Sequence, residues 1–225
     1  MSELKISDSL KKVIWMAEVP LRRRERNKTE KRARILAEAG RLFAKDGYAA
    51  TTTSAIAKAA DVSHGTLFQY APSKPALMLM VGNATVSARL AKYSDSGRGT
   101  PTDRIVALVA PFVDDSTKLE NLVEYQRAAL DGDPHEEHCA EAVAIVERLI
   151  DAIGEFLLEV ADQPDSAEAA HLAAEAIYAS LHLQVVLADR DGRSPDELMT
   201  HFRGQTELIV RGYLATVTGK KENND

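Results

Sequence analysis

Apolar residues recur at three- and four-residue steps along most of the chain. Between 29 and 45, Ile35, Leu36, Ala39, Leu42 and Phe43 form one stripe, with Arg32, Arg34, Glu38, Arg41 and Lys45 around it. That pattern predicts a helix with one buried face. Gly47 suits its C-terminal stop. The periodicity returns over 74–93 through Leu77, Met78, Met80, Val81, Val86 and Leu90. It continues over 102–113, 118–130, about 136–160, 165 or 166 to about 188, and 195–217. Clusters rich in Asp, Gly, Ser and Pro at 94–101, 131–134 and 163–165 separate these stretches. Strand-like alternation and internal repeats are missing. The pattern predicts an all-α chain of about nine helices.

The stretch 47–77 carries the densest punctuation. Thr51, Thr52 and Thr53 place hydroxyls where a helix must begin, and Thr52 is the best cap for its first N–H groups. A short run of small residues around Ile56 follows, then a break at Asp61, Val62 and Ser63. Ser63 can cap a second short helix over 64–70. Pro72, Ser73 and Lys74 close that helix and start the next. Two short helices around a tight turn have the size of a helix-turn-helix, whose second helix lies in the DNA major groove. Within it His64, Thr66, Gln69 and Tyr70 are the expected exposed positions, and Leu67 and Phe68 are available for packing. Gly65, without a side chain, lets backbone approach a phosphate. The bland alternative is a structural helix pair with a solvated face.

Charge sharpens this reading. The net charge of −6 hides an asymmetry: residues 1–100 hold 18 Lys and Arg against 9 Asp and Glu, and the remainder holds 10 against 25. The first part can neutralise phosphates; the second is repelled by them. A single cysteine, Cys139, excludes an internal disulfide and suits a reducing cytoplasm. No uninterrupted apolar run reaches the ~20 residues that span a bilayer, and no signal-peptide core is present. These features predict a soluble, cytoplasmic protein with no membrane partner.

Ahead of the first strong helix, residues 1–20 end at Pro20; Leu10, Val13, Ile14 and Ala17 have helical spacing, so the segment reads as a short extra helix or, preferably, a partly disordered leader. Next comes a charge run containing Arg22, Arg23, Arg24 and Arg26. Such runs are usually flexible and solvated. Placed before a helix-turn-helix, this one is also a candidate DNA-contacting arm.

Over 29–77 the chain closely resembles the DNA-binding domain of the tetracycline-repressor (TetR) family of bacterial transcription regulators. The resemblance rests on the order and spacing of Ile35, Leu36, Ala39, Leu42, Phe43, Gly47, Tyr48, Thr51, Thr52, Ile56, Ala57, Ala60, Val62, Ser63, Gly65, Thr66, Leu67, Phe68, Pro72, Ser73, Lys74 and Leu77. It covers about a fifth of the chain. It implies a three-helix DNA-binding domain at 28–73 behind an N-terminal extension at 1–27. A larger helical effector-binding and dimerisation domain would follow at 74–218, with a polar tail at 219–225. The implied partners are double-stranded operator DNA, a second copy of the chain and an unidentified small-molecule effector; no cofactor is implied. The implied function is a repressor that releases its operator when the effector binds. By position, Thr52, Ser63, Thr66, Phe68, Tyr70 and Lys74 fall on contacts to DNA, His64 falls on the recognition helix, and Thr53 adds a neighbouring hydroxyl. Three residues depart from the family pattern. Asp61 stands where Gly is usual, in a turn that favours left-handed backbone, which Asp tolerates. Phe68 replaces a Tyr, and Ala71 replaces a bulky aromatic whose space Tyr70 can refill.

Other residues suggest further sites. His171, Glu175, Tyr178 and His182 share one helical face and are candidates for an effector pocket, with Phe112, Tyr125 and Phe156 as apolar walls. Leu181, Val185 and Val186 with Leu208, Val210, Arg211 and Leu214 are the candidate dimer stripe of the last two helices. His135, His138 and Cys139 could ligate a metal, which gives an alternative reading as a metal-dependent hydrolase. A third reading is a helical interaction module that no longer touches DNA.

Overall fold

The structure is a computed structural model. It describes residues 8–93, 95, 97–113, 118–161 and 166–219, with the backbone alone at 8–24, 218 and 219. The expected break at 163–165, the start of the leader and the tail beyond 219 lie outside the described residues. So do the side chains of Arg22, Arg23 and Arg24.

Nine α-helices and no strand occur among the described residues, as the periodicity predicts. They are α1 (Asp8–Asp46), α2 (Thr53–Ala59), α3 (His64–Phe68), α4 (Lys74–Leu90), α5 (Pro101–Val109), α6 (Leu119–Asp131), α7 (Glu137–Ala161), α8 (Ala167–Asp191) and α9 (Pro195–Gly219). A 3-10 turn, Ala110–Phe112, extends α5. Five helices start where a hydroxyl takes up a free backbone N–H: Thr52 from Ala55, Ser63 from Thr66, Ser73 from Ala76, Thr100 from Asp103 and Ser194 from Glu197. Gly192, at φ 66°, closes α8.

One expectation fails. The first helix does not start near Thr29 behind a loose leader; α1 runs unbroken from Asp8 through Pro20. The residues between Pro20 and Thr29 are mostly good helix formers with no glycine among them. Thr29 does not cap: its hydroxyl donates back to the Glu25 carbonyl, 3.0 Å away. Arg26 and Glu30 pair across the same turn at 3.5 Å.

Two cores form. The head core joins Ile35, Phe43, Ile56, Leu67, Leu77 and Met80 from α1 to α4. Phe43 of α1 thus shares one core with Ile56 of α2 and Leu67 of α3. The body core is built from Ile105, Ile145, Ile153, Leu157, Ile177 and Phe202. Helix α4 serves both, through Leu77–Met80 at its start and Val86 and Leu90 further on. Tyr125, Cys139 and Ala142 of α6 and α7 are buried in the head core, so the head rests on the α6–α7 corner. By length and composition α8 could cross a membrane; its neighbours are α6, α7 and α9, the surroundings of a core helix.

Candidate nucleic-acid interface

Short helices need side chains to hold their ends, and this head supplies them. Thr52 Oγ1 accepts from Ala55 N at 3.1 Å, and Ser63 Oγ accepts from Thr66 N at 3.1 Å while lying 2.9 Å from Thr66 Oγ1. Between the helices Asp61 takes φ 52°. The turn therefore keeps its left-handed residue although no glycine is there, as the sequence suggested. Leu67 is completely buried, which anchors the five-residue α3 with about 1.5–3 kcal/mol of apolar burial.

With Leu67 inward, α3 presents His64, Gly65 and Gln69 to solvent, and Thr66 and Phe68 partly so. His64 is fixed twice. Its Nε2 lies 3.1 Å from Thr53 Oγ1, and its ring meets Phe68 edge-on at 4.5 Å. Thr53 is thus a support for His64 as well as a hydroxyl on the same face. Phe68 packs against His64 and is half-buried. A Cβ built on Gly65 meets nothing within 4 Å, so that surface is open. Lys74 Nζ sits 4.2 Å over the Tyr48 ring and donates to the Ala49 carbonyl at 3.4 Å.

Tyr70 is placed differently from the expectation of a base-facing side chain. Its hydroxyl donates to the Lys28 carbonyl of α1 at 3.2 Å. It steadies the end of α3 against α1, and Ala71 beside it is fully buried. Arg34, which the sequence reading placed on the polar flank of α1 without a role, ties α1 to the end of α2 by donating to the Ala60 carbonyl at 3.2 Å. That flank position was its signal. Arg26 is exposed, and the backbone through Arg22, Arg23 and Arg24 is helical. The basic run is therefore a continuation of α1 rather than an extended arm.

Residues 35–81 match the family model for bacterial regulatory proteins of the tetR family. The head is a TetR-family DNA-binding domain. The TetR match runs into α4, in line with the half of that helix that belongs to the head core. No curated protein matches the chain. Solved structures of TetR regulators share its fold. One from Rhodococcus sp. RHA1 is 15% identical with a TM-score of 0.64, covering 81% of this chain and 97% of its own. A TetR-family regulator from Streptomyces coelicolor is 19% identical with a TM-score of 0.54, covering 83% and 97%. A putative transcriptional regulator from Saccharomonospora viridis in complex with choline is 23% identical with a TM-score of 0.55, covering 80% and 96%.

The predicted effector residues do not meet in one place. Phe112 and Tyr125 line a cavity of about 330 Å³ between α1, α4 and α6. Tyr178 and His182 line another of about 350 Å³ between α6, α7 and α8. Burial pushes the Tyr178 phenol up to about 12 and moves the His182 imidazole down, which favours the neutral form of each. Phe156 is covered by the Arg104 guanidinium at 4.1 Å. His171 and Glu175 pair with each other at 3.4 Å, both more than half exposed. Spacing on one helix could not show which neighbours the other helices bring.

The dimer stripe is corrected in the same way. Val185 and Val210 are buried in the chain's own core, Leu181 is 9% exposed, and Leu214 packs against that core. Val186 is half-buried, and Arg211 is exposed and paired with Glu207. Leu208 alone of the set is a strongly exposed apolar residue, at 69%. Leu172 and Leu183 stand out in the same way on α8. The metal reading fails on geometry. His138 Nε2 is 2.8 Å from the Tyr70 carbonyl, and Cys139 Sγ faces the Ala129 carbonyl at 3.6 Å. Among the described residues no three His, Cys, Asp or Glu side chains are placed to hold a metal ion.

Proposed function

We propose that the chain is a cytoplasmic, dimeric transcriptional repressor that releases its operator when a small molecule binds its helical body. The observation that carries this is the recognition helix: Leu67 anchors it while His64, Gly65 and Gln69 are left to solvent. In this reading His64, Thr66 and Gln69 face base edges in the major groove. Thr52, Ser63 and Lys74 hold the backbone, and the basic run through Arg26 adds salt-dependent affinity. The dimer forms through the outer faces of α8 and α9, where Leu172, Leu183 and Leu208 are exposed. Support for a small-molecule partner comes from the cavities of the body and from the choline complex of the similar Saccharomonospora regulator.

Footprinting on the DNA flanking the chain's own gene tests this. Protection of a pseudo-palindrome, with half-sites one helical turn (about 34–36 Å) or a multiple apart, is the expected result. Absence of binding to any duplex at low salt would leave the interaction-module reading.

A further inference from the structure

The cavity between α1, α4 and α6 touches the head directly. Gly40, Phe43 and Ala44 of α1 form one wall, and Met78, Val81 and Gly82 of α4 another. At about 330 Å³ it stands near the lower end of ligand-site volumes, roughly 300–1,000 Å³. The lining is largely apolar. Its charged members, Arg89 and Lys118, only donate hydrogen bonds.

A chain of buried and part-buried hydrogen bonds leads from this cavity to Tyr70, just past the recognition helix. The Tyr125 ring lines it and lies directly on Gly82, where an added Cβ would stand 2.1 Å from Tyr125 Cδ2. Its hydroxyl donates to Asn83 Oδ1 at 3.0 Å. Asn83 Nδ2 donates to the His138 carbonyl at 2.8 Å, and also reaches Glu141 at 3.1 Å. The His138 Nε2 proton goes to the Tyr70 carbonyl, 2.8 Å away, at the end of α3. Asn83 and His138 are 1% and 2% exposed. Breaking the two buried links, Tyr125 to Asn83 and Asn83 to His138, would strand polar atoms away from water, so a shift at one end favours a shift at the other.

We propose that this cavity is the effector site and takes a compact amphipathic molecule, with an apolar body and a carboxylate or other acceptor head toward Arg89 and Lys118. Occupancy tilts the Tyr125 ring, and Asn83 and His138 pass the displacement to the end of the recognition helix. The inference rests on the ligand-responsive reading above and names its site, ligand class and route.

Octanoate, octanol and octylamine share one apolar body and differ in the head. Calorimetry on the full chain should rank octanoate first and octylamine last. Gly40→Leu fills the cavity and should abolish octanoate binding. Gly40→Ala, whose methyl meets only Val81 at 3.6 Å, should keep the parent's melting temperature, which shows that α1 tolerates a side chain at this position. Tyr125→Phe keeps the wall and removes the link. At saturating octanoate, whatever its own octanoate affinity, it should lose most of the roughly tenfold drop in affinity that octanoate causes for the footprinted duplex. No octanoate binding, a preference for octylamine, or binding indifferent to Gly40→Leu overturns the site. Unchanged coupling in Tyr125→Phe overturns the route. Octanoate binding without any DNA binding would instead sink the repressor reading, because calorimetry needs no duplex.

Discussion

The ammonium of Lys74 stands 4.2 Å above the centre of the Tyr48 ring. The ring face attracts the cation without neutralising it, so the charge is held at the first residue of α4. A cation at a helix N-terminus is unfavourable in isolation and welcomes an anion. Lys74→Ala should therefore weaken binding to every duplex alike and flatten the salt dependence by about one unit of slope. Titrations at several salt concentrations check this; an unaltered slope removes Lys74 from the phosphate contacts.

Gly65 separates stability from binding. Nothing lies within 4 Å of a Cβ placed there, and alanine is the better helix former by about 1 kcal/mol. Gly65→Ala should hold or raise the melting temperature while weakening DNA binding about tenfold, a cost of roughly 1.4 kcal/mol. Tighter DNA binding by this variant would show that no backbone approach occurs at Gly65.

The start of α5 predicts a titration. Hydrogen bonds from Arg203 and Thr100 lower the Asp103 carboxyl to about 2. Because the folded value is depressed, its contribution to stability is complete above the ordinary carboxylate range and disappears as pH falls through about 2. Carboxyl-carbon NMR should find that midpoint, and Thr100→Val should move it upward. A midpoint near 4 in the parent would mean that the capping pair and the 2.7 Å Arg203 contact do not persist in solution.

Leu208 offers the cleanest probe of self-association. At 69% exposure it contributes little to the fold of one chain. Leu208→Glu should leave the circular dichroism spectrum intact, while sedimentation shifts from dimer to monomer and operator affinity falls. A dimer that survives both this change and Leu183→Glu would locate the contact elsewhere.

The head was legible because its signals are local. Thr52 and Ser63 cap within three residues of themselves, and Leu67 is the residue that its periodicity would bury. Even the Asp61 substitution could be read, since the left-handed turn depends on one backbone angle. The start of α1 was not legible. Pro20 and Thr29 each mark a boundary when taken alone, but Thr29 spends its hydroxyl on the preceding turn. In the body, periodicity put Val185 and Val210 on apolar faces and suggested a second copy as their cover, whereas the chain's own core covers them. Which face meets a second copy, and which residues share a cavity, depend on contacts such as Tyr125 on Gly82 that join distant stretches of chain.

Because α1 carries the basic run as helix, its thickness limits what that run can reach. A helix with its side chains is about 10–12 Å across, whereas the minor groove of B-form DNA is about 6 Å wide. In this form the run is too thick to thread the groove, so whatever contact it makes with a duplex is made from the outside. Affinity gained that way is blind to base identity, so operators of this chain should tolerate any flanking sequence but not a shortened flank.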